Sequence, residues 1–200
     1  MTDTVIFDLG RVLVEFQPVE GMRRLGFTDE QIKVISEKIF SGLWEECDRI
    51  PYSDNEIRRL FKSRLPGMEA LVDRMWDNVT VFTDVYPYSR KWLQSLKDMG
   101  LKIYILSNYG KQAFEVNSKK YDFLELADGM VISYQVELVK PELQIYEILL
   151  EKYGIERQNA VFIDDRQLNI DGARAVGMKA ILFENYEKTS AELLKLIQDT

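Results

Sequence analysis

Beyond residue 86, short apolar runs alternate with segments of helical periodicity, and this alternation restricts the chain to few architectures. Strands that alternate with helices build a parallel sheet whose two faces are both covered. The pattern therefore predicts an α/β fold with a parallel sheet, whose strands are expected at residues 5–7, 103–106, 129–132, 160–163 and 180–183.

A long segment between the first strand and the alternating part has a different pattern. Its apolar residues recur at helical spacing, and no strand pattern is convincing. Thr28 with Gln31, and Ser53 with Glu56, match the capping box that begins many helices. The sequence therefore predicts a helical insertion of roughly three to five helices, from about residue 18 to residue 82.

Composition narrows the chemistry that this chain can perform. It contains no histidine, which excludes serine–histidine hydrolases, cysteine–histidine proteases and histidine-ligated zinc sites. Acid–base chemistry must then come from carboxylates, lysine or tyrosine. The 26 basic and 33 acidic residues give a net charge of -7, so we expect no nucleic acid partner and no membrane partner. A local pocket for one small anion remains compatible with this charge.

Two features bear on the cellular setting. Cys47 is the only cysteine, so an internal disulfide cannot form and the chain suits a reducing compartment. Residues 1–13 lack the basic start of a signal peptide and are too short for a membrane span. We therefore expect a cytoplasmic protein, and the sequence leaves its oligomeric state open.

Polar side chains follow three of the predicted strands at the point where each strand ends. Asp8 follows the first strand, Ser107 and Asn108 follow the second, and Asp164 and Asp165 follow the fourth. In open α/β sheets, ligands bind beyond the carboxyl ends of the strands. These side chains are therefore expected to meet at one edge of the sheet and to form its functional site.

Each group suits phosphate chemistry, although each also has a simpler interpretation. Asp164 and Asp165 repel one another unless a cation lies between them and Asp8, and oxygen ligands alone favour Mg²⁺. Lys140, just before Pro141, can neutralise charge on a phosphoryl group. Taken singly, the aspartates are also explained as turn or helix caps, and the lysine as a surface residue.

Together these residues resemble a known family. Asp8, Ser107, Lys140 and the pair Asp164 and Asp165 occur in the order that is typical of the haloacid dehalogenase-like superfamily, and the resemblance spans almost the whole chain. Residues 139–146 and 161–173 are especially similar to it. The resemblance implies a Rossmann-like core formed by residues 1–16 and 83–200, with a helical C1 cap domain at residues 17–82.

The resemblance also implies a role for each site residue. Asp8 is expected to be the nucleophile and a metal ligand, and Lys140 to fix Asp8 and the phosphate. The remaining roles are Mg²⁺ ligation by the Gly10 carbonyl and by Asp165, with Asp164 beside it, and phosphate binding by Ser107 and Asn108.

One position departs from the usual pattern of the family. Most phosphatases in it carry a second aspartate two residues after the nucleophile, which protonates the leaving oxygen, whereas this chain has Gly10. The Phe-Asp-Leu-Gly-x-Val form is similar to the subgroup that contains bacterial alpha-glucose-1-phosphate phosphatases. The general acid is thus unassigned, with Glu15 or a water held by the cap as candidates. Trp44 is the candidate substrate contact in the cap.

The resulting prediction is a Mg²⁺-dependent phosphatase for a small phosphorylated metabolite, a sugar phosphate in particular, working through an aspartyl-phosphate on Asp8. Three alternatives stay open. A non-catalytic regulatory or scaffold protein with the same fold is compatible with Gly10. So is a metal-independent 2-haloacid dehalogenase, although the paired aspartates favour a cation. A phosphomutase is disfavoured because it depends on the aspartate that Gly10 replaces.

Overall fold

The computed structural model describes residues 2–198, so residue 1 and residues 199–200 at the two ends of the predicted core lie outside the described part. Five strands form a parallel sheet in the order β5-β4-β1-β6-β7, and two more form a separate antiparallel pair. In chain order the seven strands are β1 (Thr4–Phe7), β2 (Val14–Phe16), β3 (Thr83–Val85), β4 (Lys102–Ser107), β5 (Gly129–Ile132), β6 (Ala160–Asp164) and β7 (Lys179–Leu182).

Eleven α-helices lie within residues 2–198, and none of them has the length and apolar character needed to cross a bilayer. In chain order they are α1 (Pro18–Arg24), α2 (Asp29–Ile35), α3 (Leu43–Arg49), α4 (Asp54–Arg64), α5 (Glu69–Asp77), α6 (Ser89–Asp98), α7 (Lys111–Asn117), α8 (Ser133–Val136), α9 (Leu143–Tyr153), α10 (Gln167–Ala175) and α11 (Tyr186–Gln198).

The five-stranded sheet is buried on both faces because its strands alternate two sets of apolar side chains. Val5 and Phe7 of β1 join the cluster that contains Trp92 of α6 and Leu193 of α11. Ile6 points to the other face and joins the cluster formed with α9 and α10. The predicted α/β architecture with a Rossmann-like parallel sheet is confirmed, and it fixes the strand ends rigidly.

Residues 18–82, called the helical insertion below, contain α1 to α5 and a π-helix at Ser36–Phe40. Both predicted capping boxes are present, with reciprocal bonds between Thr28 and Gln31 and between Ser53 and Glu56. Apolar side chains of the insertion, including the fully buried Phe61, form a third cluster, which Ala113 of α7 joins from outside the insertion. The insertion therefore has a separate core that supports one wall of the site.

The chain enters and leaves the helical insertion through one pair of short strands. β2 and β3 are antiparallel, with Val14 opposite Val85 and Phe16 opposite Thr83. The backbone N–H of Gln17 also donates to the carbonyl of Phe82 at 2.8 Å. This pair lies where the sequence analysis places the two crossings between core and cap, and the division into two domains itself stays a prediction.

Pro141 lies before the helix that follows it and not in the first turn of that helix. α9 begins only at Leu143, and the Lys140–Pro141 peptide bond is cis. The contact that holds this segment comes from a distant part of the chain: the side chain of Asn108 accepts a hydrogen bond from the Lys140 N–H at 2.8 Å and donates to the Lys140 carbonyl at 3.0 Å. The backbone of Lys140 is thereby held outside the helix.

Candidate active site

The parallel register brings the polar strand ends together. Phe7, the last residue of β1, is level with Ile105 of β4 and Ile163 of β6. The next residue, Asp8, donates its backbone N–H to the carbonyl of Ile163 at 2.9 Å. Asp8 therefore sits between the ends of β4 and β6, where the sequence predicts the functional site.

Lys140 is the centre of this edge. Its ammonium nitrogen lies 2.8 Å from Asp8 Oδ1, 2.6 Å from Asp164 Oδ2 and 2.9 Å from the carbonyl oxygen of Leu106. These three acceptors match the three N–H groups of a lysine. Its side chain is 1% exposed. Burial lowers the pKa of Lys140, but Asp164 and Asp8 outweigh that effect and leave the pKa raised.

Asp164 is held by protein donors on both carboxylate oxygens. Besides Lys140, it accepts hydrogen bonds from the side-chain amide of Asn169 at 2.9 and 3.0 Å and from the backbone N–H of Arg166 at 2.8 Å. Its side chain is fully buried. These contacts suit a residue that orients Lys140 and Asp8, and they leave Asp165 as the carboxyl of the pair that faces the cavity.

Asp8 has the surroundings of a reactive carboxylate. Burial raises its pKa to about 6, while Lys140 and a hydrogen bond from the Ser107 hydroxyl act in the opposite direction. The hydroxyl of Ser107 is thus directed at the carboxyl group of Asp8, the candidate nucleophile. Asn108 lines the cavity, but its side chain is engaged with the backbone of Lys140.

The acidic cluster provides a test of whether the residues fit Mg²⁺. One carboxylate oxygen from each of Asp8, Asp164 and Asp165 lies within 4.8 Å of the others. Three carboxyl groups at that spacing repel, and Lys140 supplies one positive charge. Within residues 2–198, the buried Oδ1 of Asn169 also has no hydrogen-bond partner. This oxygen-only donor set fits a hard divalent cation.

These side chains open onto a cavity of about 440 Å³, which the helical insertion closes from the other side. Much of the far wall is apolar and aromatic, formed by Val14, Phe16, Pro18, Phe40, Trp44, Val79 and Phe82. The rings of Phe40 and Trp44 are 4.8 Å apart, and Phe16 and Trp44 are 5.8 Å apart. The cavity thus combines a charged floor with a largely apolar roof.

The polar groups on the same wall are bonded to one another. The Thr83 hydroxyl donates to Asn117 Oδ1 at 3.2 Å, and Asn117 Nδ2 donates to the Tyr109 hydroxyl at 3.0 Å. The hydroxyls of Tyr109 and Tyr121 are 3.0 Å apart, and Tyr121 donates to Thr83 at 3.0 Å. This closed ring of hydrogen bonds uses much of the bonding capacity of the wall.

The two candidates predicted near the insertion are placed differently. Trp44 lines the cavity, and it is also packed among other aromatic rings of the helical insertion. Glu15 lies in β2 between Val14 and Phe16, which both line the cavity, so strand alternation turns Glu15 to the opposite face. There its charge acts on Tyr86 rather than on the strand ends.

Sequence reasoning missed Asp48, which lies in the last turn of α3 and lines the same cavity as Asp8. A signal was present, because Asp48 follows Trp44 by four residues and residues at that spacing share a helix face. Arg11 and Arg166, which also line the cavity, were missed as well. The guanidinium of Arg11 lies 3.8 Å from a carboxylate oxygen of Asp165. Arg11 directly follows Gly10 in the chain and has a positive φ of 58°.

The fold thus places an acidic cluster and a buried lysine at one edge of a parallel sheet. The model of the haloacid dehalogenase-like hydrolase family matches residues 2–177. The chain therefore belongs to this family of hydrolases.

Relatives with known names agree with this assignment over nearly the full length. The chain is 26% identical over 194 residues to the sesquiterpene phosphatase astK of Aspergillus oryzae, which covers 96% of this chain and 95% of the relative. It is 22% identical over 209 residues to the D-ribitol-5-phosphate phosphatase of Bacteroides thetaiotaomicron, with 98% and 99% covered.

A solved structure shows the same fold. It is a haloacid dehalogenase family enzyme from Bacteroides thetaiotaomicron in complex with magnesium and inorganic phosphate. The two structures superpose with a TM-score of 0.74 at 22% identity, and the match covers 91% of this chain and 94% of the other.

Proposed function

We propose that this protein is a Mg²⁺-dependent phosphatase that hydrolyses a small phosphate monoester through an aspartyl-phosphate on Asp8. The observation that carries the proposal is the buried Lys140 ammonium, which is bonded to Asp8 and Asp164 while Asp165 faces the cavity. Relatives named as phosphatases support the same reaction.

The chemistry follows from where these groups lie. An oxygen of the Asp8 carboxylate attacks phosphorus, the bond between phosphorus and the ester oxygen breaks, and the alcohol leaves. Lys140 orients Asp8 and neutralises charge that develops on the phosphoryl oxygens. Water then attacks phosphorus, the bond to Asp8 breaks, and inorganic phosphate is released.

Three groups would hold the metal: the carboxylates of Asp8 and Asp165 and the backbone carbonyl of Gly10, all of which line the cavity. Bound there, Mg²⁺ supplies positive charge to the phosphoryl oxygens. Asp164 orients this arrangement through Lys140, and Ser107 and Asn108 support the phosphate-binding edge through Asp8 and Lys140.

For the organic part of the substrate we propose a sugar phosphate, in a cytoplasmic protein whose partner is a small metabolite. The aromatic ring of Trp44 can pack on the face of a sugar. The apolar wall around it favours a second candidate, the phosphate of an apolar alcohol, and one relative is named a sesquiterpene phosphatase. Both classes therefore belong in the test.

The test is phosphate release from a panel of sugar phosphates, an isoprenoid phosphate and a chromogenic aryl phosphate, with Mg²⁺ or with a chelator. We expect release that requires Mg²⁺ and that Asp8→Asn reduces by at least about 10⁴-fold, because the variant lacks the nucleophile. Asp98→Asn, which changes an exposed aspartate at the end of α6, is the matched control.

Three outcomes separate the proposal from its alternatives. Folded protein that releases no phosphate from any ester would favour a non-catalytic protein, and halide release from a 2-haloacid without metal would favour a dehalogenase. An isomeric phosphate ester in place of free phosphate would indicate a phosphomutase. Each of these results would overturn the phosphatase proposal.

A further inference from the structure

Gly10, which stands where most phosphatases of the family carry their second aspartate, is surrounded by free space. A Cβ added to Gly10 would meet no atom within 4 Å, although Gly10 lines the cavity beside Asp8. Glycine here is thus not required by crowding. The leaving oxygen of a substrate on Asp8 still needs a proton, so another group in the cavity has to supply it.

Four carboxyl groups line the cavity among residues 2–198: Asp8, Glu45, Asp48 and Asp165. Asp8 and Asp165 are used as nucleophile and metal ligand in the proposed function. Glu45 is exposed, and its Oε1 lies 3.4 Å from the guanidinium of Arg166. Asp48 is the remaining carboxyl group, and it approaches from the insertion, opposite the strand ends.

Contacts on both sides of Asp48 hold it in this place. The Ser133 hydroxyl donates to the Asp48 carbonyl, and the Gly110 N–H donates to the Asp48 carboxyl group. The next residue, Arg49, donates to both carboxylate oxygens of Glu142 at 3.0 and 2.7 Å. Glu142 is two residues after Lys140, so one ion pair ties the end of α3 to the loop of the central lysine.

Helix α3 also comes unusually close to residues 108–110, which connect β4 to α7 and are called the strand-end loop below. A Cβ added to Gly110 would lie 3.0 Å from the carbonyl oxygen of Cys47, the residue before Asp48. A larger residue at position 110 would push α3 away from the cavity floor. The close approach of α3 thus requires glycine at position 110, whereas the space around Gly10 does not require glycine at position 10.

We propose that Asp48 is the general acid that protonates the leaving oxygen and then the base that activates water; this inference rests on the proposed phosphatase function. As the bond between phosphorus and the ester oxygen breaks, the Asp48 carboxyl gives its proton to that oxygen and an alcohol leaves. Asp48 then takes a proton from the water that attacks the aspartyl-phosphate. Release of phosphate restores both Asp8 and protonated Asp48.

The protonation of Asp48 agrees with this role. Burial raises its pKa to about 8, the charges of Glu45 and Asp8 add to the increase, and the Gly110 N–H and Lys140 oppose it. A carboxyl group with that pKa carries a proton at neutral pH, as a general acid must. The titratable groups around it are Glu45, Cys47, Tyr109, Asp8 and Lys140, with Arg166 paired to Glu45.

The first experiment compares kcat/KM of wild type and Asp48→Asn on an alkyl phosphate and on p-nitrophenyl phosphate. kcat/KM contains only the steps up to release of the alcohol, so it isolates the acid role. We expect a loss of about 10²–10⁴-fold on the alkyl ester and a much smaller loss on the aryl ester, whose leaving oxygen needs no proton. Asparagine keeps an oxygen acceptor for the Gly110 N–H, so a fall in the melting temperature is not expected and would reveal a structural defect.

The second experiment uses the open space at Gly10. Gly10→Asp in the Asp48→Asn background places a carboxyl group where other family members have one. We expect the double variant to hydrolyse the alkyl phosphate at least about tenfold faster than Asp48→Asn alone. A structural defect at Asp48 would not be rescued in this way. The matched control is Glu46→Gln, an exposed carboxylate on α3 outside the cavity that is bonded to Tyr52.

The pH profile gives a third measurement that needs no variant. For wild type, kcat/KM on the alkyl ester is expected to fall about tenfold per pH unit above pH 8, as Asp48 loses its proton, with a flatter profile for the aryl ester. If Asp48→Asn lowers kcat/KM equally on both esters, or on neither, the inference about Asp48 is overturned. The phosphatase proposal would still be supported by Mg²⁺-dependent turnover that Asp8→Asn abolishes. A leaving-group-dependent loss in Glu15→Gln instead would return the role to Glu15.

Discussion

Asp164 is buried at the sheet edge, whereas Asp48 lines the cavity from the helical insertion, and the surroundings of the two carboxyl groups differ. Asp164 accepts hydrogen bonds from Lys140, Asn169 and the backbone of Arg166. Asp48 has one backbone donor, Gly110, and the like charge of Glu45 close by. The sheet edge therefore surrounds its carboxyl group with fixed donors, whereas the insertion leaves its carboxyl group free to exchange a proton. The same side chain thus serves to position groups in one region and to carry protons in the other.

The sheet side of this comparison is tested most strongly by Lys140→Met. Removing the ammonium leaves Asp8 and Asp164 buried without their cation, so we expect the free energy of unfolding to fall by about 3–5 kcal/mol, together with loss of turnover. Urea denaturation measures the change. Lys188→Met removes an exposed partner of Glu184 and should change it by less than about 1 kcal/mol. Similar small changes in both variants would contradict the central role of Lys140.

The insertion side is tested by the pH dependence of stability in Asp48→Asn. A carboxyl group whose pKa rises from 3.8 to about 8 on folding makes the fold less stable as pH rises between these values. We expect the variant to become more stable than wild type across this range, by up to about 1.4 kcal/mol per pH unit, with no difference below pH 3.8. Urea denaturation from pH 4 to pH 8 measures this, and parallel curves would contradict it.

The close approach between the two regions is tested by Gly110→Ala and Gly10→Ala. The first substitution presses a Cβ against the Cys47 carbonyl, so we expect it to lower the free energy of unfolding by about 1–3 kcal/mol. The second enters open space and should change stability by no more than about 0.5 kcal/mol. Thermal denaturation of the pair measures the difference. Equal effects would mean that α3 does not press on the strand-end loop.

The smallest expected effect comes from the ion pair that joins the two regions. Arg49 and Glu142 are 39% and 35% exposed, so we expect their coupling to be about 0.2–1 kcal/mol in a double-mutant cycle with Arg49→Met and Glu142→Gln. Because the pair aligns Asp48 with the strand ends, kcat should fall more than this stability change suggests. An unchanged kcat in both single variants would limit the pair to a surface contact.

The sequence predicted the sheet side well because its signals are local. Asp8 and Asp164 each end an apolar run, and parallel strands bring such ends together whatever the loops do. The positions of the strands, the helical insertion and both capping boxes depend on patterns within a few residues. The detailed pairing was less accessible, since the contacts that commit Asp164 to Asn169 and Lys140 join distant parts of the chain.

The insertion side was harder to predict because its geometry depends on packing. Glu15 is close to Asp8 in sequence, yet pairing of β2 with β3 turns it away from the cavity. Asp48 is 40 positions from Asp8 and meets the same cavity only after α3 has docked on Gly110. Its helical spacing from Trp44 was visible, but nothing in the sequence shows which face of α3 is turned toward the strand ends.

The single strand pair through which the chain enters and leaves the insertion has an evolutionary consequence. Because β2 and β3 lie side by side, the whole of residues 18–82 can be exchanged for another segment through two adjacent junctions. Such an exchange would replace Asp48 and the part of the apolar wall that residues 18–82 supply, while Val14 and Phe16 of the wall and the sheet-edge residues Asp8, Lys140 and Asp165 would stay behind. A chimeric protein would therefore obtain its proposed general acid, as well as its substrate selectivity, from the protein that supplies the inserted segment.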